Sequence, residues 1–237
     1  MPDTRPGLIF TENSICSACI NYEKQTTTNW DERFNELKKL CEKYRGTNGN
    51  GYDCAIAVSG GKDSHFQVYY MKEIMKMNPI LLAVGNTDWT ETGRKNLENL
   101  SDTFSCEILQ LNLNKNAARI IAKKSFEDMG QPTWYMDSLI YAYPYNMAMK
   151  LGLKLLVYGE NITYAYGGKF KTETPSAMLQ PFNDVVKTYP DEWLGVSGLS
   201  EKDLQSTIPP SVEDCKKSDL EPIYLSYFVP WDSHHNY

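Results

Sequence analysis

Six consecutive residues, Ser59-Gly60-Gly61-Lys62-Asp63-Ser64, combine side chains and spacing suited to holding an anion. Adjacent glycines open backbone conformations closed to other residues and let a phosphate group approach the main chain. A helix starting directly afterwards would add unpaired N–H groups and the positive end of its dipole. Ser59 and Ser64 contribute hydroxyl donors, Lys62 a positive charge and Asp63 a carboxylate for Mg²⁺. Such a loop suits a polyphosphate. It lacks the spacer and Gly-Lys-Ser/Thr ending of a Walker loop and is not the Gly-x-Gly-x-x-Gly turn of dinucleotide folds. The plainer alternative is a tight turn whose glycines serve packing only. A second acid, Glu160, follows another apolar run and is placed to orient a small nucleophile or hold metal, unless it is a solvated or capping carboxylate.

The elements that must position these groups are legible as alternating apolar runs and helical periods. Strands are predicted over 52–58, 80–84, 107–113 and 154–158, and helices over 64–77, 92–100, 116–129 and 137–151. This alternation predicts an α/β fold, a doubly wound parallel sheet with helices on both faces and ligands at the strand carboxyl ends. Residues 1–50 read as an irregular arm followed by a helix from Trp30 with Asn29 as its cap and Gly46 as its end. Residues 51–169 read as the nucleotide-binding domain, and 170–237, rich in proline, as an insertion or cap with a helical piece over 200–205 and a returning strand over 223–229.

In residues, order and strand-turn-helix setting the loop resembles the Ser-Gly-Gly-x-Asp-Ser signature of the PP-loop ATP pyrophosphatases, the adenine nucleotide alpha hydrolase-like type. Three further stretches widen the resemblance. Pro2-Asp3-Thr4-Arg5-Pro6-Gly7, Cys16-Ser17-Ala18-Cys19 and Asn29-Trp30-Asp31-Glu32-Arg33 are similar to the amino-terminal signature of the N-acetyl sugar amidotransferase family. Tyr158-Gly159-Glu160-Asn161 with Tyr166-Gly167-Gly168, and Pro230-Trp231-Asp232-Ser233 with Asn236-Tyr237, are similar to later blocks of that family.

The resemblance implies an ATP-dependent ligase-type enzyme of surface-polysaccharide (O-antigen, lipopolysaccharide) biosynthesis. It would turn the acetamido group of a nucleotide-linked sugar into an acetamidino group, releasing AMP and pyrophosphate. ATP and Mg²⁺ are the implied cofactors. Ammonia would come from glutaminase and channelling subunits related to imidazole glycerol phosphate synthase, and a homodimer is implied. On this reading Lys62, Asp63 and Glu160 are catalytic. Ser59, Gly60, Gly61, Ser64 and Gly159 hold the nucleotide, with Asn86, Thr87 and Asp88 near adenine, ribose or magnesium. Asn161, Tyr166, Gly167 and Gly168 shape a sugar pocket, for which a plain turn is the alternative. Family members carry another Cys-x-x-Cys directly before Pro2, so either the start of this chain is trimmed or assigned late or the zinc site is lost; because the family pattern also runs past Asn236-Tyr237, the chain reads as a fragment. Cys16 and Cys19 alone are half of a four-ligand zinc knuckle, or two free thiols.

Composition narrows the field. Apolar residues are 41% and charged residues 23%, as in globular proteins, and 24 Lys+Arg against 30 Asp+Glu give a formal charge of −6. No basic patch for a nucleic-acid backbone stands out, and no apolar run reaches the roughly 20 residues needed to cross a bilayer. Neither nucleic acid nor membrane is expected as a partner, and cytoplasm is the expected compartment. A tRNA thiolation enzyme is the nearest competing reading, disfavoured by the acidic balance and the lack of sulfur-handling cysteines. A non-catalytic adenine-nucleotide binding module is the other. Cys41 and Cys54 fall in apolar patterns and read as core, His65 as a helix-surface residue, and Trp134, Tyr135, Tyr141, Tyr143 and Tyr145 as helix packing.

Overall fold

A computed structural model describes residues 7–47, 51–85, 89–166, 173–183, 189, 191–195 and 198–232. Five strands form one parallel sheet: β1 (Cys54–Val58), β2 (Pro79–Val84), β3 (Ile108–Leu111), β4 (Leu155–Tyr158) and β5 (Glu221–Tyr224). Their order is β3-β2-β1-β4-β5. The chain winds outward from β1 to β3, then returns to place β4 on the other side of β1. The carboxyl ends of β1 and β4 therefore flank the point where the winding reverses, which is where open α/β sheets leave a crevice. The doubly wound fold expected from the sequence is the one observed.

Period-two alternation divides the strands between two cores. Cys54, Ile56, Leu81, Ala83, Leu155 and Val157 face one layer, built from α2 (Trp30–Tyr44), α3 (Lys62–Val68) and α4 (Glu91–Phe104). Ala55, Ile80, Leu82, Val84 and Leu156 face the other, built from α5 (Lys115–Met129) and α6 (Trp134–Lys150). Strands covered on both faces are nearly all apolar, which explains the unbroken runs of β1 and β2. Trp134, Tyr135, Tyr143 and Tyr145 of α6 lie in this second core, as expected, whereas Tyr141 does not; Trp134 packs edge-on to Trp193 with ring centroids 5.1 Å apart.

Several boundaries differ from those read from the sequence. The arm is not wholly irregular, because Ser17–Lys24 forms a helix, α1. Asn21 of α1 donates from its Nδ2 to Tyr164 O at 3.1 Å, and Tyr164 Oη returns a bond to Asn21 O at 2.6 Å. That tie joins α1 to α7 (Ile162–Tyr166). The helix expected over 64–77 begins at Lys62 and widens after Val68 into a π-type turn through Ile74. The returning strand lies at Glu221–Tyr224, and the apolar residues after it form a helical turn, Leu225–Phe228, called α10. Two short helices precede β5: α8 (Glu201–Gln205) and α9 (Val212–Lys217), each with a Ser–Asp capping box. Asn29 does cap α2, its side chain accepting from Glu32 N at 3.2 Å, and Gly46 ends it at φ +66.

Candidate functional site

The loop after β1 turns at Gly60, whose φ of +82 lies where L side chains are strained. A Cβ there would also stand 3.0 Å from Leu97 N, so Gly60 is where the loop packs on α4. Gly61 is the opposite case, since its Cβ would meet only Ser59 Oγ, at 3.6 Å. That side of the turn is open to a ligand. Gly61 precedes α3 without any side-chain cap, which leaves the first amides of α3 without a capping side-chain acceptor. Ser59 N donates to Ser64 Oγ at 2.9 Å, pinning the strand end to the first helical turn and preforming the loop. Lys62 Nζ donates to Asp63 Oδ1 at 2.8 Å.

On the other side of the crevice, Gly159 and Glu160 follow β4. A Cβ on Gly159 would lie 2.7 Å from Gln67 Nε2 and 2.8 Å from Trp231 Cη2, so only glycine fits between the two. Burial raises the Glu160 carboxyl above its ordinary value, the negative Asp63 raises it further, and Lys62 opposes both. Ser59, Asp63, Ser64, Gly159 and Glu160 all line one open cleft of about 270 Å³.

Three lining residues escaped the sequence reading as site residues. Gln67 lies one turn beyond Ser64 on the same face of α3, Gln180 comes from the segment between β4 and β5, and Trp231 returns from beyond α10 to stack edge-on against Phe66 at 5.3 Å. Trp231 belongs to one of the recognised blocks. Both glutamines are 5% exposed, and the amide oxygen of each lacks a hydrogen-bond partner among the described residues. Two buried acceptors in one cleft take their donors from a bound ligand or from water.

The remaining expected residues divide. Asn161 is buried and its Oδ1 accepts from Thr163 N at 3.1 Å and Tyr164 N at 3.2 Å, so its side chain caps α7. Neither Asn161 nor Tyr166 is among the residues that line the cleft. Asn86, Thr87, Asp88, Gly167 and Gly168 lie outside the described residues, as do the flanking 2–6 and 233–237 stretches. Cys16 and Cys19 meet with sulfurs 3.3 Å apart at the start of α1. The Cys19 amide and thiol hold the Cys16 thiol below its usual value and the same contact raises Cys19. Among the described residues no third His, Cys, Asp or Glu joins them to make a metal site, so the zinc expectation has no complete ligand set here. Cys41 and Cys54 are core residues, and burial pushes the Cys41 thiol up to about 12. No described helix is long and apolar enough to cross a membrane.

Fold and site together define a doubly wound α/β protein with a double-glycine turn between β1 and α3 and a carboxylate after β4 at the switch point of its sheet. No family model matches the chain. An uncharacterised protein of Methanocaldococcus jannaschii is 26% identical over 155 residues, which are 64% of this chain and 53% of that protein. The chain thus spans about half the length of the curated relative it matches. Among solved structures it is similar to the NH3-dependent NAD synthetase of Campylobacter jejuni, with 12% identity, coverage of 81% of this chain and 86% of that one, and a TM-score of 0.46. It is similar also to the NMN synthetase of Francisella tularensis (12% identity, 88% and 75%, TM-score 0.43) and to the U34-tRNA thiolase NcsA of Methanococcus maripaludis (18% identity, 56% and 48%, TM-score 0.37).

Proposed function

We propose that this chain activates an unreactive carbonyl oxygen with ATP, splitting the nucleotide between its α and β phosphates, and that the oxygen belongs to the acetamido group of a nucleotide-linked sugar. The observation that carries the ATP part is the open face of the loop at Gly61, with the uncapped start of α3 beside it and Glu160 facing it across the crevice. The sugar part rests on the similarity of the three flanking sequence blocks to the amidotransferase family.

The residues present fit a nucleotide and Mg²⁺. An open backbone cradle receives phosphate, Asp63 offers a carboxylate to the metal, and two unpartnered buried amides await donors. When bound, Mg²⁺ supplies neutralisation of phosphate charge in a chain that is itself acidic. Lys62 and the amides at the start of α3 stabilise negative charge on the departing pyrophosphate.

The acetamido oxygen attacks the α phosphorus, the bond to pyrophosphate breaks, and an O-adenylyl imidate forms. Ammonia then adds to the imidate carbon, loses a proton, and AMP leaves to give the acetamidine. Glu160, whose carboxyl burial raises above its ordinary value, takes that proton. Ammonia arrives from glutaminase subunits, and the protein works as a homodimer.

Incubating the chain with ATP, Mg²⁺, ammonia and an acetamido nucleotide sugar should release AMP and pyrophosphate together with a product one mass unit lighter than the sugar. AMP release independent of sugar, or stimulated only by tRNA, would reject the sugar as substrate. Absence of ATP binding would reject the nucleotide reading as well.

A further inference from the structure

The cleft crosses the carboxyl edge of the sheet from α3 on one face to α6 on the other, and its two ends differ in chemistry. The α3 end carries Ser59, Asp63 and Ser64. The α6 end is apolar, made by Leu82, Val84, Ile140 and Pro144 beside the Tyr141 ring, and Gln180 brings an amide to it. Gln180 is held firmly. Its N donates to Ala177 O at 2.9 Å, and its O accepts from Asn183 N at 3.2 Å and from Asn183 Nδ2 at 2.6 Å. Its backbone is committed in this way, and the residue is 5% exposed with an amide oxygen that has no donor among the described residues. Gln67, the other unpartnered amide, lies at the α3 end beside Gly159.

With Glu160 beside Asp63, the first end suits a phosphate carried with Mg²⁺, and the second suits a flat, apolar group edged with an N–H donor. We infer that Gln180 reads the base of the bound nucleotide, its amide oxygen accepting from the exocyclic amine of adenine. This rests on the nucleotide reading above. A glutamine amide sets an acceptor beside a donor, the complement of adenine's amine and adjacent ring nitrogen. Hypoxanthine and guanine present an oxo group and a ring N–H in place of that pattern, so they pair with Gln180 only if its amide turns over, which its close packing opposes. The segment between β4 and β5, which supplies Gln180, would thereby select the nucleotide that the loop after β1 only grips.

The test compares binding of ATP and of ITP, which lacks the amine, to the full chain with Mg²⁺, for wild type, Gln180→Leu and the shorter amide Gln180→Asn. Wild type should favour ATP over ITP by at least about 10-fold, the discrimination a buried amide pair supplies. Both variants should bring the ratio to within about 2-fold by weakening ATP while ITP binding persists, which also shows that the cleft is folded. An ATP:ITP preference that survives both substitutions overturns the inference alone. So does a ratio that survives while the KM for the acetamido sugar rises, because Gln180 then faces the acceptor. If wild type binds neither nucleotide, the ATP reading fails and this inference fails with it.

Discussion

The hydroxyl of Tyr158 donates to the carbonyl of Ile140 at 3.3 Å, and that carbonyl is the one Pro144 leaves without its helical N–H donor. A proline inside α6 would normally cost the helix a hydrogen bond. Here the last residue of β4 replaces it, and Ile140, Pro144 and Tyr158 all line the cleft. The proline turn of α6 is thus tied to the strand that delivers Gly159 and Glu160.

Removing that tie should be measurable. Tyr158→Phe should lose about 1–2 kcal/mol of stability, because it leaves a shielded carbonyl unpaired. In a Pro144→Ala background, where residue 144 can donate to Ile140, the same change should cost less than half as much. Urea unfolding of the four proteins of this double-mutant cycle gives the coupling, and additive losses would refute the relationship.

The two loop glycines should separate stability from binding. Gly60→Ala forces a Cβ onto φ +82 and to 3.0 Å from the backbone of Leu97, so it should destabilise by about 2 kcal/mol or more. Gly61→Ala meets only Ser59 Oγ, at 3.6 Å, and should fold with stability within about 0.5 kcal/mol of wild type while losing nucleotide affinity. Thermal melts and nucleotide titrations on both variants distinguish a cradle for phosphate from glycines that serve packing alone.

Asp63→Asn keeps the shape of the side chain and removes its charge. AMP formation should fall about 100-fold or more with little change in melting temperature. Turnover retained near the wild-type rate would show that this carboxylate neither holds the metal nor stabilises the reacting phosphates.

Glu160 gives a pH-dependent signature. Its raised carboxyl disfavours the ionised form in the folded protein, so its contribution to stability is fully present below the unfolded value and is lost as pH rises through the folded one. Glu160→Gln should therefore melt about 1–3 °C higher than wild type at pH 7, and this gain should vanish near pH 4. The same variant should lower AMP formation about 100-fold or more and remove the acidic limb of the rate profile. A gain in stability that is equal at both pH values would mean that Glu160 titrates normally.

The central strands and the loop between β1 and α3 were legible in the sequence because parallel strands covered on both faces must be unbroken apolar runs, and because a double glycine at a strand-helix junction has few uses. Helix α1 was not legible: only Ala18 and Asn21 of it are buried, so it shows no apolar stripe. The apolar run after Pro222 looked like one strand because Ile223 and Val229 are both core residues, but between them α10 packs Leu225 and Phe228 inward at helical spacing. Gln67 could have been found from helical phase, three residues after Ser64. Nothing local marks Gln180, which enters the cleft only through the path of the chain between β4 and β5.

Strand pairing at the centre of the sheet also governs when the site comes into being. Ile56 pairs with Val157, roughly a hundred residues later, so closing this contact carries the entropy of a long loop and belongs among the slow steps of assembly. Until it closes, the loop behind β1 has no opposite wall. A nucleotide that needs both walls would recognise only finished molecules, and its presence during refolding should raise the yield of native protein without hastening the earliest collapse.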